Sequence, residues 1–419
     1  MANAPVQTGA VKPGGNAQQA QQRPQVFRVG VYETDTPDID VTLAATATNW
    51  VQQKLGTFKI SPNGWLAGIW CLFQMSVTGN STNVVTFTGD SPFSSIFKVT
   101  FRDVGNREIF GPLTGYEWFT VNKWGGYFPG NPDPRATSNG YSTVGGSVAT
   151  GGSFQFLLFM PLEIVYRDSL GEIENKSSSS AYTLEIYVDS LANTYYGAAS
   201  AAGVAPAAAA NLSLRFRGNL IGYTEPEATD SSGRPLAQQP PAAGTVQYWA
   251  SETFVATAGT QKYNQQNGIG YSIRNQAFIA YDNANGSRAS GYNFAYAAAG
   301  GQFTGGDWPD PATESFGKVQ LWQRPAQMWA ALMAKWFGLV TSSATPDTAN
   351  YLENGVFIEA YNREFDTLAG NELRNGYLVT KAGNVLQHSG TYTGAANVHF
   401  LTNYIVPPGN DAARLRASR

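Results

Sequence analysis

Short apolar blocks, each closed by a turn sequence, recur along most of this chain. Residues 26–32 alternate apolar and polar side chains and predict a strand. Phe58-Lys59-Ile60 runs into Ser61-Pro62-Asn63-Gly64, a turn by its Pro and Gly, and then into an almost unbroken apolar run around Cys71 that predicts a buried strand. Residues 96–101, 154–159, 182–188 and 212–216 read as further strands, with Gly clusters and turns between them. A Pro-, Gln- and Ala-rich stretch occupies 226–244. A second block of the same texture follows, beginning at Val246 and taking in 271–273, 277–281, 355–360 and 398–401. Helical periodicity is clear once: Met328, Trp329, Leu332, Met333, Trp336 and Phe337 share one face after Pro325 and before Gly338. The polar face of that helix carries only Lys335, so it predicts packing over a sheet inside a long connection, not adsorption to a membrane.

This pattern predicts an all-β chain of two tandem antiparallel sandwiches or jelly rolls, with helix confined to connections. The boundaries that follow are a flexible N-terminal arm at 1–27, a first β domain at 28–225, a linker at 226–244, a second β domain at 245–406 and a basic tail at 407–419. Length supports the division, since 419 residues are long for one core and comfortable for two.

Charge changes the picture next. Asp, Glu, Lys and Arg make up 14% of the chain, against roughly 25% in ordinary soluble proteins. A surface so poor in charge fits a protein covered by neighbouring copies. The net charge of −3 excludes a general affinity for nucleic acid, which needs a basic stripe. Both ends are nevertheless cationic: Lys12, Arg23 and Arg28 lie in or beside an acid-free arm, and Arg414, Arg416 and Arg419 face Asp411 alone in the tail. These six are the candidate neighbour- or membrane-facing contacts. One cysteine permits no intrachain disulfide. The opening residues lack the features of a secretory leader, and no apolar run is long enough to span a bilayer.

Candidate chemistry is sparse. His388 and His399 are the only histidines, and neither belongs to a metal-type cluster. There is no Gly-x-Ser-x-Gly elbow. Gly268-Ile269-Gly270 begins a dinucleotide fingerprint and fails at Ile273, and Gly317-Lys318 lacks the rest of a phosphate loop. Three acidic groups are candidates for two-carboxylate chemistry: Asp35, Asp38 and Asp40 around Pro37, Glu172 with Glu174, and Asp307 with Asp310 around Trp308. Loop acids of this kind are usually solvated, and the first group matches no complete calcium loop. No catalytic residue, cofactor or metal is expected.

The order of segments resembles the double jelly-roll major capsid proteins of tectivirus-like, membrane-containing icosahedral phages. The resemblance runs from about Phe27 to Ile405. It rests on residues 60–68 with the apolar strand that ends at Thr78-Gly79-Asn80, on 159–166 with Ser169-Leu170-Gly171 and Asn175, on 278–286, and on the helix carrying Trp329. Pro407-Pro408-Gly409 and the basic tail depart from the family's pattern. The resemblance implies two tandem eight-stranded antiparallel jelly rolls with a few short helices in long connections. It also implies a homotrimeric, pseudo-hexagonal capsomer that tiles an icosahedral virion shell over an internal membrane. The implied partners are neighbouring capsomers, vertex and minor capsid proteins, and that membrane. The long loops 129–153 and 283–312 would then lie on the exterior. The alternative from another class is a glycan-binding or glycan-cleaving receptor-binding β-sandwich centred on Trp308.

Overall fold

The computed structural model describes residues 31–79, 84–88, 90–125, 127, 140–146, 151–164, 170–195, 205–225, 229, 231–234, 244–282, 309, 311–337, 355–361, 376–392 and 394–406. The first half is built from β1 (Glu33–Thr46), β2 (Gln53–Lys59), β3 (Gly64–Thr78), β4 (Ile96–Arg102), β5 (Glu108–Leu113), β6 (Tyr141–Val144), β7 (Ser153–Pro161), β8 (Ile173–Asn175), β9 (Thr183–Val188) and β10 (Asn211–Tyr223). Helix α1 (Gly115–Gly125) stands between β5 and β6, and the single turn α2 (Leu191–Thr194) follows β9. Two sheets face one another in spatial order β1-β10-β3-β7 and β2-β9-β4-β5, with β6 and β8 appended to the first. Each sheet interleaves early and late strands of the block, which is jelly-roll wiring with eight strands.

The second half repeats the wiring. Its strands are β11 (Val246–Ala256), β12 (Gly259–Gln265), β13 (Ser272–Asp282), β14 (Ala312–Phe316), β15 (Val319–Arg324), β16 (Val356–Ala360), β17 (Leu378–Val379), β18 (Leu386–Tyr392) and β19 (Ala396–Val406). They form β11-β19-β13-β16, with β17 appended, and β12-β18-β14-β15. Helix α3 (Ala326–Phe337) lies between β15 and β16. Term by term, the second roll restates the first, down to a helix after its fifth strand. The expected pair of eight-stranded jelly rolls is therefore the fold.

The two helices do the same work. Trp118, the fourth residue of α1, is fully buried and donates its indole N–H to the carbonyl of Phe159 on β7 at 2.8 Å. One turn on, Asn122 Oδ1 accepts the N–H of the same Phe159 at 2.7 Å. Trp329, the fourth residue of α3, is fully buried and donates to the carbonyl of Ile358 on β16, also at 2.8 Å. One turn on, Met333 Sδ accepts the Ile358 N–H at 3.4 Å. Each helix thus satisfies both backbone groups of one strand residue, removing exposed groups that invite uncontrolled pairing. Each tryptophan then packs edge-on against a core phenylalanine, Phe73 at 6.1 Å and Phe278 at 5.4 Å between ring centroids.

Inside the first roll, Phe73 stacks between Phe156 and Phe216, 4.8 Å from each. The apolar core cluster is continuous through both rolls, from Ile39 to Val406. Gly64 opens β3 at φ +92°, and a side chain there would meet the Tyr223 carbonyl at 2.4 Å, so this turn requires glycine. At Gly68 a Cβ would fall 2.1 Å from the ring of Phe159, which occupies that space instead.

Several expectations need correction. β1 starts at Glu33, so of the strand expected at 26–32 only Val31 and Tyr32 are described, and they precede it. Asp35, Asp38 and Asp40 are not loop acids. They belong to the 14-residue strand β1, which absorbs Pro37 at a bulge between Pro37 and Ile39. The apolar blocks at 271–273 and 277–281 are one strand, β13. Part of the loop expected at 129–153 is strand, since β6 falls inside it.

Candidate functional site

The first buried polar constellation is the seam between the rolls. The outer strand β5 of the first roll lies parallel to the outer strand β11 of the second, with Phe110 opposite Trp249, so half of each roll joins into one nine-stranded sheet. α1 reaches across this join. Thr114 and Glu117 form a capping box at its start: the Thr114 N–H donates to Glu117 Oε2 at 2.7 Å, and the Glu117 N–H donates to Thr114 Oγ1 at 3.2 Å. The other carboxylate oxygen, Oε1, accepts His399 Nδ1–H from β19 at 2.9 Å and the Ser251 hydroxyl from β11. Burial by itself would raise the pKa of Glu117. The His399 hydrogen bond and charge, with Ser251 and the Thr114 amide, overcome it and hold the carboxyl below its usual range. Burial likewise acts to lower His399, and Glu117, with a smaller contribution from Asp90, raises it above its usual value. Each group thus favours the charged form of the other, and the pair links one roll to the other.

Further along the seam, Gln247 Nε2 donates to the carbonyls of Leu162 and Glu163 at 3.2 and 3.0 Å. Fully buried Arg274 donates to the Tyr127 hydroxyl and to Asn403 Oδ1, each at 3.3 Å. Asn403 Nδ2 donates in turn to Gln247 Oε1 at 3.1 Å and to the Tyr248 carbonyl at 3.0 Å. Tyr127, Leu162 and Glu163 come from the first half, and Gln247, Arg274 and Asn403 from the second. A polar network of this kind fixes one mutual orientation, because its donors would be costly to bury in any other.

The second constellation lies inside the second roll. His388 Nε2–H donates to Gln265 Oε1 at 3.0 Å, an oxygen that also accepts Gln276 Nε2 at 2.7 Å. That fixes the tautomer and turns the bare Nδ1 toward Glu314 Oε2 at 3.3 Å. The Tyr361 hydroxyl donates to the other Glu314 oxygen. Burial pushes Glu314 up to about 8 and His388 down to about 3, so both are neutral at pH 7. The cavity beside His388, between Tyr263, Trp322 and Tyr392, measures about 20 Å³. That is room for a water molecule and no substrate.

Neither constellation has the parts of a catalytic centre. Both oxygens of Glu117 are engaged, the Ser251 hydroxyl donates to the carboxylate and not to an imidazole, and the histidines are held by carboxyl and amide groups. Among the described residues, no three His, Cys, Asp or Glu side chains are grouped to hold a metal. Cys71 is fully buried, and burial drives its thiol pKa far up. The acids of β1 are occupied: Asp40 pairs with Arg215, Asp35 accepts Asn219 Nδ2 at 2.9 Å, and Asp38 accepts the Ser61 amide at 3.2 Å. Glu172 is buried, whereas the Glu174 side chain is 62% exposed, so they do not act as a pair. Asp307, Trp308 and Asp310 lie outside the described residues, as do Lys12, Arg23, Arg28, Arg414, Arg416 and Arg419. The reading of the sequence missed Glu117, Gln247, Arg274 and Asn403. Only Glu117 had a local signal, the Thr-x-x-Glu spacing of its capping box.

No family model matches the chain. No curated protein matches it either. Solved structures do. The MCP of STIV, Sulfolobus turreted icosahedral virus, is 15% identical and superposes over 91% of this chain and 99% of its own with a TM-score of 0.53. The PBCV-1 virus capsid is 11% identical over 90% and 93% of the two chains, with a TM-score of 0.52. The Faustovirus major capsid protein is 9% identical over 92% and 91%, with a TM-score of 0.50. At such identities the shared property is architecture, and it extends over nearly the whole of each chain. This chain has the double jelly-roll fold of these viral capsid proteins.

Proposed function

We propose that the chain is a viral major capsid protein: a structural subunit that associates as a homotrimer, forms a pseudo-hexagonal capsomer and tiles the icosahedral outer shell of a virion above an internal membrane. The observation that carries this reading is the edge-to-edge union of two eight-stranded jelly rolls in one polypeptide, an architecture shared end to end with capsid proteins of several viruses. Three such chains supply six similar rolls, the number that fills a hexagonal tile. The inter-roll seam supports the same reading, since a tile must hold the angle between its halves. Shell building needs no reaction centre, and the described histidines and buried acids serve packing. In this reading Lys12, Arg23, Arg28, Arg414, Arg416 and Arg419 meet neighbouring capsomers or anionic lipid, and vertex and minor capsid proteins complete the shell. Assembly takes place in the host cytoplasm. No observation favours the glycan-binding alternative.

Light scattering on the purified full chain tests the proposal. The expected mass is three times 45.0 kDa, unchanged on dilution. A monomer at every concentration would overturn it.

A further inference from the structure

The rolls are joined head to tail, β5 of one against β11 of the other, and this leaves the complementary halves of the same junction unused. Among the described residues β15, the counterpart of β5, has only β14 as a strand neighbour, and β1, the counterpart of β11, has only β10. A heterologous junction of this kind can be repeated by another copy of the chain.

The helix clamps allow the repeat to be read residue by residue. Matching Phe159 to Ile358 through the clamps matches their cross-strand partners: Trp70 to Ala277, and then Leu72 to Ile279 and Arg217 to His399. It also matches Glu117, third in α1, to Met328, third in α3. Glu117 is buried because it reaches His399 on the outer face of β19. On that same face Ala277, Ile279, Val356 and Ile358 are all at most 5% exposed. Their counterparts in the first roll, Trp70, Leu72, Leu157 and Phe159, are only half-buried, and Trp70 and Phe159 sit ring to ring at 4.5 Å. Farther along this sheet face a groove of about 470 Å³ passes Gln74, Gln155 and Arg215. Met328, whose counterpart is buried at the seam, is 53% exposed.

We infer that α3 of one copy docks on the outer face of β10, β3 and β7 of the next, placing Met328 beside Leu72 and Arg217 as Glu117 is placed beside His399 within the chain. The proposal rests on the capsomer reading and names the surface through which copies meet. The occupant is a second copy because the chain already contains this contact once, and the apolar patch is the half of it left over. Where the intrachain contact is an ion pair, the contact between copies is apolar, with the aliphatic stem of Arg217 along Met328.

The experiment compares the full-length chain with Met328→Lys, with the double variant Met328→Lys/Arg217→Glu, and with Met328→Cys/Arg217→Cys. Sedimentation should show Met328→Lys weakening association about tenfold or more, since it sets two cations face to face in a buried contact. The charge-reversed double variant should recover the wild-type mass. Oxidation of the cysteine pair should give a covalent trimer and nothing larger, because a closed ring uses every thiol pair. A wild-type trimer undisturbed by Met328→Lys, or a cysteine pair that forms no bond between copies, overturns this interface while the capsomer stands. A monomeric wild type overturns the capsomer itself. Met328 is exposed in the single chain, so its variants should fold, and the cysteine pair gives a second readout independent of charge.

Discussion

Glu117 and His399 illustrate how a single buried acid can serve two structures at once. One oxygen closes the first turn of α1, and the other holds the second roll. Replacing Glu117 with Ala removes the cap and leaves His399 facing an empty pocket. The expected loss is about 3 kcal/mol in urea unfolding, as for one partner of a buried ion pair. The pH dependence has two limbs. Glu117 is depressed from an ordinary 4.5, so its contribution is present above that value and lost as pH falls through its folded pKa. His399 is raised from 6.5, so its contribution is full below that value and lost as pH rises through its folded pKa. His399→Gln should therefore flatten the alkaline limb of the unfolding midpoint and move the acid limb to higher pH, since Glu117 loses the charge that holds its carboxyl down. Glu314 gives the opposite sign to an ordinary carboxyl. Raised from 4.5 to about 8, it makes the fold progressively less stable between those values and adds no further slope above them. Glu314→Gln, whose amide can still donate to His388 Nδ1, should abolish that slope in titrated thermal melts.

At the scale of elements, the repeated Trp clamp is the device that lets each roll end a sheet beside a long connection. Trp329→Phe deletes the indole donor to the Ile358 carbonyl, at an expected cost of about 1–3 kcal/mol, and Trp118→Phe should cost less, because Asn122 Nδ2 still donates to the Phe159 carbonyl at 2.8 Å. Because the clamps sit in different rolls, the double variant should lose the sum, measured by urea unfolding. The two helices were not equally legible. α3 has a polar face, so its stripe of Met328, Trp329, Leu332 and Met333 stands out. In α1 all eleven residues from Gly115 to Gly125 are buried, including Glu117 and Lys123, so there is no polar face to set a period. β1 was hidden for a related reason. It borders its sheet, most of its residues are exposed or half-exposed, and it carries Pro37, so its pattern reads as loop.

For the whole molecule, the low charge content and the internal repeat act together. A tile that hides much of its surface in contacts between copies gains little from surface charge and depends on shape and apolar area. Association of the proposed trimer should therefore resist salt: sedimentation in about 1 M NaCl, where the screening length is about 3 Å, should give the same mass as in dilute buffer. Substantial dissociation there would point instead to an electrostatic assembly. The head-to-tail seam also explains why one chain carries both rolls. In the proposed trimer, covalent linkage makes half of the roll-to-roll contacts permanent and leaves three identical contacts for association to form.

The sequence by itself determined the strands with dense apolar cores and the duplication into two β blocks. These follow from period, turn residues and residue inventory, which are local properties of the chain. Tertiary structure alone decided which strands are neighbours, that β5 meets β11, and that Glu117 finds His399 282 positions away. It likewise turned Trp70, Leu72, Leu157 and Phe159 outward. Cross-strand pairing and the burial of an ion depend on groups far apart in sequence, so no local window contains the information that sets them.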